Sequence, residues 1–400
     1  MLPLLSISAQ EETPRFKLTP YGFIRNDFYY DSRQNLETAG GLFYMVPKDK
    51  NPNGIGDDLN DVSSSGFLSI ATRLGVKVSG PEILGAESSA RIETDFAGFG
   101  GSTTMLRIRQ AWCKLSWKRV DLLTGQTWHP MFGDVVPTVQ SLATGSPFQP
   151  FNRSPQVRVD YKFTPSFRTY LSALYQFQYT SAGPSGNSDI YQKNAILPEL
   201  YLGFDYKKNG WIVGVGVDYL RIRPRVKENS LGYDRKVSDY LNSFSANAFM
   251  QYSNDKLAIK AKTIYGQNMA HLLLMSGYGV SAKNTDGSYD YTNLNNTTSW
   301  LNVTYGNKYQ VGLFLGYSKN LGSDKDLVDD EENVYVMGFP NLDQVYRIAP
   351  QVSYNLKHWT FGVEYERTTA SYGTMDLDGK VKNTHDVTNN RIVGVMMYLF

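Results

Sequence analysis

The sequence has one cysteine, Cys113, in 400 residues, so no intrachain disulfide can form. It has four histidines, His129, His271, His358 and His385, and no two stand at the spacing of a metal-binding pair. No G-x-S-x-G or comparable nucleophile motif occurs. Gly98 to Gly101 follows an extended segment but opens no helix, which argues against a phosphate loop. Neither sign of charge is in excess: Lys plus Arg is 40 and Asp plus Glu is 38, so nothing points to a nucleic-acid partner. There is no run of 18 apolar residues and mean hydropathy is negative, so helical membrane spans are not expected. These absences leave no catalytic residue, metal site or cofactor to assign. An enzyme working at a barrel rim would need a Ser and a His brought together there, and nothing in the sequence asks for that.

What the sequence does have is dyad alternation. In Gly66 to Ser79, Leu68, Ile70, Leu74, Val76 and Val78 point one way, and Ser69, Arg73 and Lys77 the other. In Gln156 to Phe163, Val157, Val159, Tyr161 and Phe163 oppose Arg158, Asp160 and Lys162. Apolar faces recurring on strand after strand, with charged faces opposite, suit a transmembrane barrel in which lipid takes one face and a watery lumen the other. Such a barrel also pairs every backbone group in the hydrocarbon. Tyr (28) outnumbers Phe (20), as interfacial girdles would require. The rhythm gives about 16 antiparallel strands, joined alternately by tight turns and long polar loops. The expected fold is therefore all-β, with one barrel domain over residues 18–400. Residues 1–17 read as a signal-peptide remnant and a short N-terminal segment, because Leu2 to Ile7 resemble the end of an apolar signal core before Ser8 and Ala9. At the other end Ile392, Met396, Tyr398 and Phe400 share one face, like a terminal strand of a bacterial outer-membrane barrel.

The segment from Pro130 to Pro155 breaks this rhythm. Its five prolines, Pro130, Pro137, Pro147, Pro150 and Pro155, exclude a sheet strand. A structureless stretch of roughly 25 residues in a compact fold is functional or wrong. Folding it into the lumen as a constriction loop resolves the difficulty, with Phe132, Phe148 and Phe151 as anchors. Alternation places Arg73, Arg107, Arg109 and Arg158 on inward faces near that loop, and Arg153 lies within it. Arginine forks suit carboxylates. Either they form an anion filter, partly neutralised by Glu93, Asp95 and Asp160, or they are salt bridges that hold the wall. In the first long loop, Asp49 to Gly54 matches half a calcium loop, but Asn60 stands where the closing acid belongs. A solvated Asn/Gly turn is the expectation, with calcium as the alternative.

Several segments in order resemble the DcaP-like porins: Thr72-Arg73-Leu74-Gly75, Arg91 to Phe96, Leu106 to Trp112, Gly125 to Trp128 and Asn152 to Arg158. The resemblance covers about residues 65–162. It implies a 16-stranded homotrimeric porin of the bacterial outer membrane, with an inward loop and arginines at the constriction. Arg73, Arg107, Arg109, Arg153 and Arg158 match the family's arginines. The implied activity is passive diffusion of small, preferentially anionic hydrophilic solutes, carboxylates among them. Outer-membrane lipids and lipopolysaccharide would be its surroundings. The alternative is a surface barrel whose loops bind a ligand, a phage or a polysaccharide. Bilayer conductance separates the two.

Overall fold

The computed structural model describes residues 16–98, 104–229, 232–329 and 331–400. Nearly all of the expected signal remnant lies outside the described residues, as does most of the connection from Gly98 to Ser102. In chain order the first strands are β1 (Lys17–Asp31), β2 (Asn35–Thr38), β3 (Phe43–Pro47), β4 (Ser64–Leu68), β5 (Arg73–Ser79), β6 (Glu87–Asp95) and β7 (Arg107–Ser116). Next come β8 (Val120–Trp128), β9 (Arg153–Lys162), β10 (Phe167–Leu174), β11 (Glu199–Lys208), β12 (Trp211–Glu228), β13 (Arg235–Ser253) and β14 (Leu257–Gln267). The series ends with β15 (Gly277–Lys283), β16 (Tyr289–Tyr305), β17 (Tyr309–Ser323), β18 (Val334–Val336), β19 (Leu342–Asn355), β20 (Trp359–Met375) and β21 (Val381–Leu399).

Nineteen of these strands join one antiparallel sheet, and β2–β3 form a separate hairpin. β4 and β5 both pair with β1 and are two halves of one stave. β15 and β18 pair with each other, outside the round of staves. The remainder is a closed barrel of 16 staves, as the alternation predicts. Closure is made by β1 against β21, with Phe23 opposite Leu399 and reciprocal 3.1 Å bonds between the backbones of Gly22 and Phe400. Alternation is what lets each stave serve two solvents. On β12, Val213, Val215 and Val217 stand outward and exposed, while Asp218 turns inward and is buried. Gly214 and Gly216 lie on that inward face, and the rings of Phe249 and Tyr201 occupy the space where their side chains would be.

Two departures from the sequence reading, and one lapse of alternation in the sequence itself, have local causes. Ile70 was expected to face lipid with Leu74, but Leu74 alone is exposed and Ile70 is buried against Tyr29, Leu42 and Ala97. The stave breaks at residues 69–72, where Thr72 N–H bonds back to Ser69 C=O, and the break reverses the phase. In β7 the alternation of apolar and polar residues lapses because the register shifts between Glu93/Gln110 and Thr94/Ile108, leaving Arg109 as the extra residue of a bulge. Several strands are longer than their alternation suggested. Residues 223–237, whose sequence reads as one of the long polar connections, are mostly the ends of β12 and β13. Beyond the hydrocarbon both faces of a strand meet water or loops, so nothing enforces a two-residue period there.

Two segments fold inward. The constriction loop folds inward as expected, but over residues 129–152: Arg153 and Pro155, expected within it, instead open β9, where Pro155 stands opposite Gln126 at the start of the strand. The β2–β3 hairpin joins the loop, and this was not foreseen; all five residues of β3 are buried.

Candidate functional site

The constriction loop is held by the staves it crosses. Lys262 Nζ donates to the carbonyls of Met131 (3.0 Å) and Phe132 (2.6 Å), and Lys260 Nζ to Val136 C=O and Thr138 Oγ1. Asn302 Oδ1 accepts from Thr138 N–H, and the Glu364 carboxylate accepts from the amides of Gln140 (2.9 Å) and Ser141 (3.1 Å). Arg25 donates to Gln140 C=O and Arg347 to Ser146 C=O. Thus a polar loop backbone, which cannot pair with a sheet, finds its partners in inward side chains. The expected aromatic anchors do anchor it. Phe148 packs among Trp300 and Phe314, over the bare Cα of Gly316. Phe132 stacks on Trp128 at 3.9 Å, and Phe151 meets Phe43 of the hairpin edge-on.

The hairpin is tied from the opposite side. Arg347 donates to Met45 C=O (3.0 Å), Arg391 to Gly41 C=O (2.7 Å) and the Tyr372 hydroxyl to Pro47 C=O (2.6 Å). Between these two inserts and the β5–β7 wall lies a cavity of about 380 Å³. Arg73, Arg107 and Arg109 line one side; Leu142 and Thr144 of the constriction loop, Phe43 of the hairpin, and Gln178 and Tyr179 line the others.

The five arginines singled out from the sequence do not stand together. Arg107 forks onto Asp95 (2.8 and 3.0 Å), and Arg109 bridges Glu93 (3.0 Å) and Asp95 (2.6 Å). Arg73 approaches Glu93 at 3.6 Å, a carboxylate that Arg91 also contacts at 2.5 Å. Arg153 is fully buried behind the cavity wall. It packs over the rings of Trp128, Phe151 and Tyr179 and donates to the Tyr179 hydroxyl (2.8 Å); its Nε and Nη1 have no partner. Arg158 is elsewhere. It lies five residues further down β9, roughly 16 Å at 3.3 Å per residue, paired with Asp160 and stacked on Tyr170. Three of the five therefore line the cavity, one lies behind it, and one sits nearer the tight turns. Alternation fixes a side chain's face but not its depth, and the bulge at Arg109 adds an inward position that strict alternation does not have.

The half calcium loop is a self-satisfied turn. Asp58 Oδ1 accepts from the amides of Asn51 and Asn60, and Oδ2 takes Arg33 at 2.7 Å. Slight burial works against ionisation, but these donors outweigh it and hold the Asp58 carboxyl at about 2. The sequence reading also missed His129 and His271 as neighbours. Both contact Glu199, at 3.0 and 2.8 Å. No spacing rule links residues that meet only through barrel closure.

With this geometry in view, the comparisons define a class. No family model matches the chain, and no curated protein matches it by sequence. Among solved structures, the outer-membrane channel DcaP of Acinetobacter baumannii superposes with a TM-score of 0.70 at 18% identity, over 96% of this chain and 97% of that one. OmpT of Vibrio cholerae follows with a TM-score of 0.57 at 13% identity, covering 96% and 98%. OmpF of Salmonella typhi, in complex with daunomycin, gives 0.52 at 10% identity, covering 96% and 97%. The fold is that of the outer-membrane channel barrels, and the DcaP-like architecture read from the sequence is the one found.

Proposed function

We propose that the chain is a porin of the bacterial outer membrane for passive diffusion of small, preferentially anionic hydrophilic solutes, carboxylates among them. One observation supports this reading most directly. Around the cavity, four guanidinium groups (Arg73, Arg91, Arg107 and Arg109) share two carboxylates, Glu93 and Asp95, and a fifth, Arg153, lies behind the wall with no carboxylate partner. Two of the carboxylate partners are buried, so the surplus positive charge is presented to the cavity rather than quenched in the wall. Arg91 and, opposite it in register, Lys77 continue the series down the wall toward the tight turns. A carboxylate about 4 Å from one such cation gains roughly 1 kcal/mol at water-like dielectric, and more in a narrow pore. That favours anions severalfold and still lets them leave.

The assembly proposed is a homotrimer. The staves from β6 to β10 have 8–10 residues, at the lower end of the roughly 9–11 that crossing lipid requires, whereas β12, β13 and β21 have 18, 19 and 19. A shorter side of the barrel is the side where a second subunit can take the place of lipid. OmpT of Vibrio cholerae has been described in a trimer form.

The test is the reversal potential of single channels under a salt gradient. The parent is expected to prefer anions, and Arg73→Gln/Arg107→Gln to lose most of that preference. A cation-selective parent, or a double variant with an unchanged potential, refutes the filter; a barrel without conductance refutes the porin.

A further inference from the structure

A second buried cluster of titratable side chains lies in the wall, apart from the arginine-lined cavity. His129 stands where β8 gives way to the constriction loop. His271 lies in the one-turn 3-10 segment Ala270–Leu272. Glu199 opens β11, and Asp218 is on β12. Glu199 Oε1 lies 3.0 Å from His129 Nε2 and 2.8 Å from His271 Nε2, and Asp218 Oδ1 lies 3.9 Å from His129 Nε2. Donor atoms of His129, Glu199 and His271 all fall within 4.8 Å of one another. None of the four residues is more than 5% exposed.

No fixed cation faces this cluster. Among the described residues no Lys or Arg forms an ion pair with Glu199 or Asp218, although both carboxyl groups face the same His129 Nε2. Glu199 Oε2 and Asp218 Oδ1 are buried with no hydrogen-bond partner, and so is His271 Nδ1. Two buried carboxyl groups on one imidazole are costly to ionise together without a cation. The two imidazoles are not equivalent. His129 Nδ1 accepts from the Met131 amide at 3.1 Å, which fixes its proton on Nε2, aimed at Glu199. His271 has no such restraint. Its proton can move from Nε2 to the unpartnered Nδ1, freeing the Nε2 lone pair.

We propose that this cluster is a binding site for a divalent transition-metal ion of the zinc type. His271 Nε2, Glu199 and Asp218 are its ligands, and His129 is a positioning residue that donates to Glu199. One imidazole and two carboxylates suit Zn²⁺ or Co²⁺ and neutralise the ion. An imidazole that holds a ligating carboxylate is a common support for such sites. The ion would join the wall to the end of the constriction loop, because the backbone beside His271 already holds that end. Leu272 C=O accepts from Phe151 N–H (2.8 Å) and His271 C=O from Asn152 Nδ2 (2.8 Å).

The experiment uses the full-length folded protein in detergent, stripped with chelator and titrated with Zn²⁺ alone, then Co²⁺ alone. The parent should take up one ion per chain, with the visible absorption of low-coordinate Co²⁺. His271→Ala, which alters a loop turn and no stave, should abolish uptake. His129→Gln should weaken it about 10–100-fold while keeping the Co²⁺ spectrum. His385→Ala removes an exposed imidazole and should change nothing. Heat-modifiable gel mobility identifies folded variants, so loss of uptake is read only in folded protein. Absence of uptake by the parent, or equal uptake by folded His271→Ala, overturns the site.

Discussion

Arg109 and Arg73 carry different loads although both line one cavity. Arg109 is buried and spans Glu93 and Asp95; without it each carboxylate keeps only more exposed arginines, Arg91 and Arg73 for Glu93 and Arg107 for Asp95. Arg109→Gln, which loses two buried charge-assisted hydrogen bonds, is expected to lower stability by about 1.5–3 kcal/mol, read as a lower urea midpoint. Arg73 touches Glu93 at 3.6 Å, and Glu93 retains Arg91 and Arg109 without it. Arg73→Gln should therefore keep the parent's midpoint and lose anion preference. A large stability loss in Arg73→Gln would show that it is a wall bridge. The inward direction of Arg73, Arg107 and Arg109 was legible in alternation alone. What alternation could not give was their sharing of Glu93 and Asp95 or the distance of Arg158 from them, since both depend on stagger between staves.

At the scale of elements, the two inserts set the width of the pore. A Cβ on Gly316 would lie 2.5 Å from the Phe148 ring, so Gly316→Ala should unseat that anchor of the constriction loop. Single-channel conductance is expected to rise and become noisier; unchanged conductance would mean that Phe148 is not an anchor. Replacing residues 35–47 by a short Gly/Ser link should also raise conductance, because the hairpin fills lumen that no stave needs. The prolines and phenylalanines announced the first insert. The second was hidden in a loop that reads as polar. Its signal was the apolar run Phe43 to Val46 between Gly40-Gly41 and Pro47, too short for a stave and without alternation.

For the whole molecule, the outward face is a solvent contact and should behave as one. Val215 stands 52% exposed in the middle of the lipid-facing side of β12. Val215→Arg is expected to cost about 2–4 kcal/mol in a bilayer, measured by unfolding from lipid vesicles, and much less in detergent-free denaturant comparisons of the unfolded chain. Anion preference should also fall as salt rises, through screening over roughly 10 Å at 0.1 M. The barrel was readable because two-residue periodicity survives wherever lipid and lumen face each other across a stave. It faded above the membrane, where the ends of β12 and β13 run on through water and β16 is buried against β15. The seam has one more consequence. The stave synthesised first, β1, has its partner in the stave synthesised last, β21. Until that contact forms, the sheet has two unpaired edges, which hydrocarbon does not tolerate. Insertion is thus an all-or-none event that cannot begin to be stable during synthesis. The unclosed chain has to be kept from aggregating through the whole interval between making Lys17 and making Leu399.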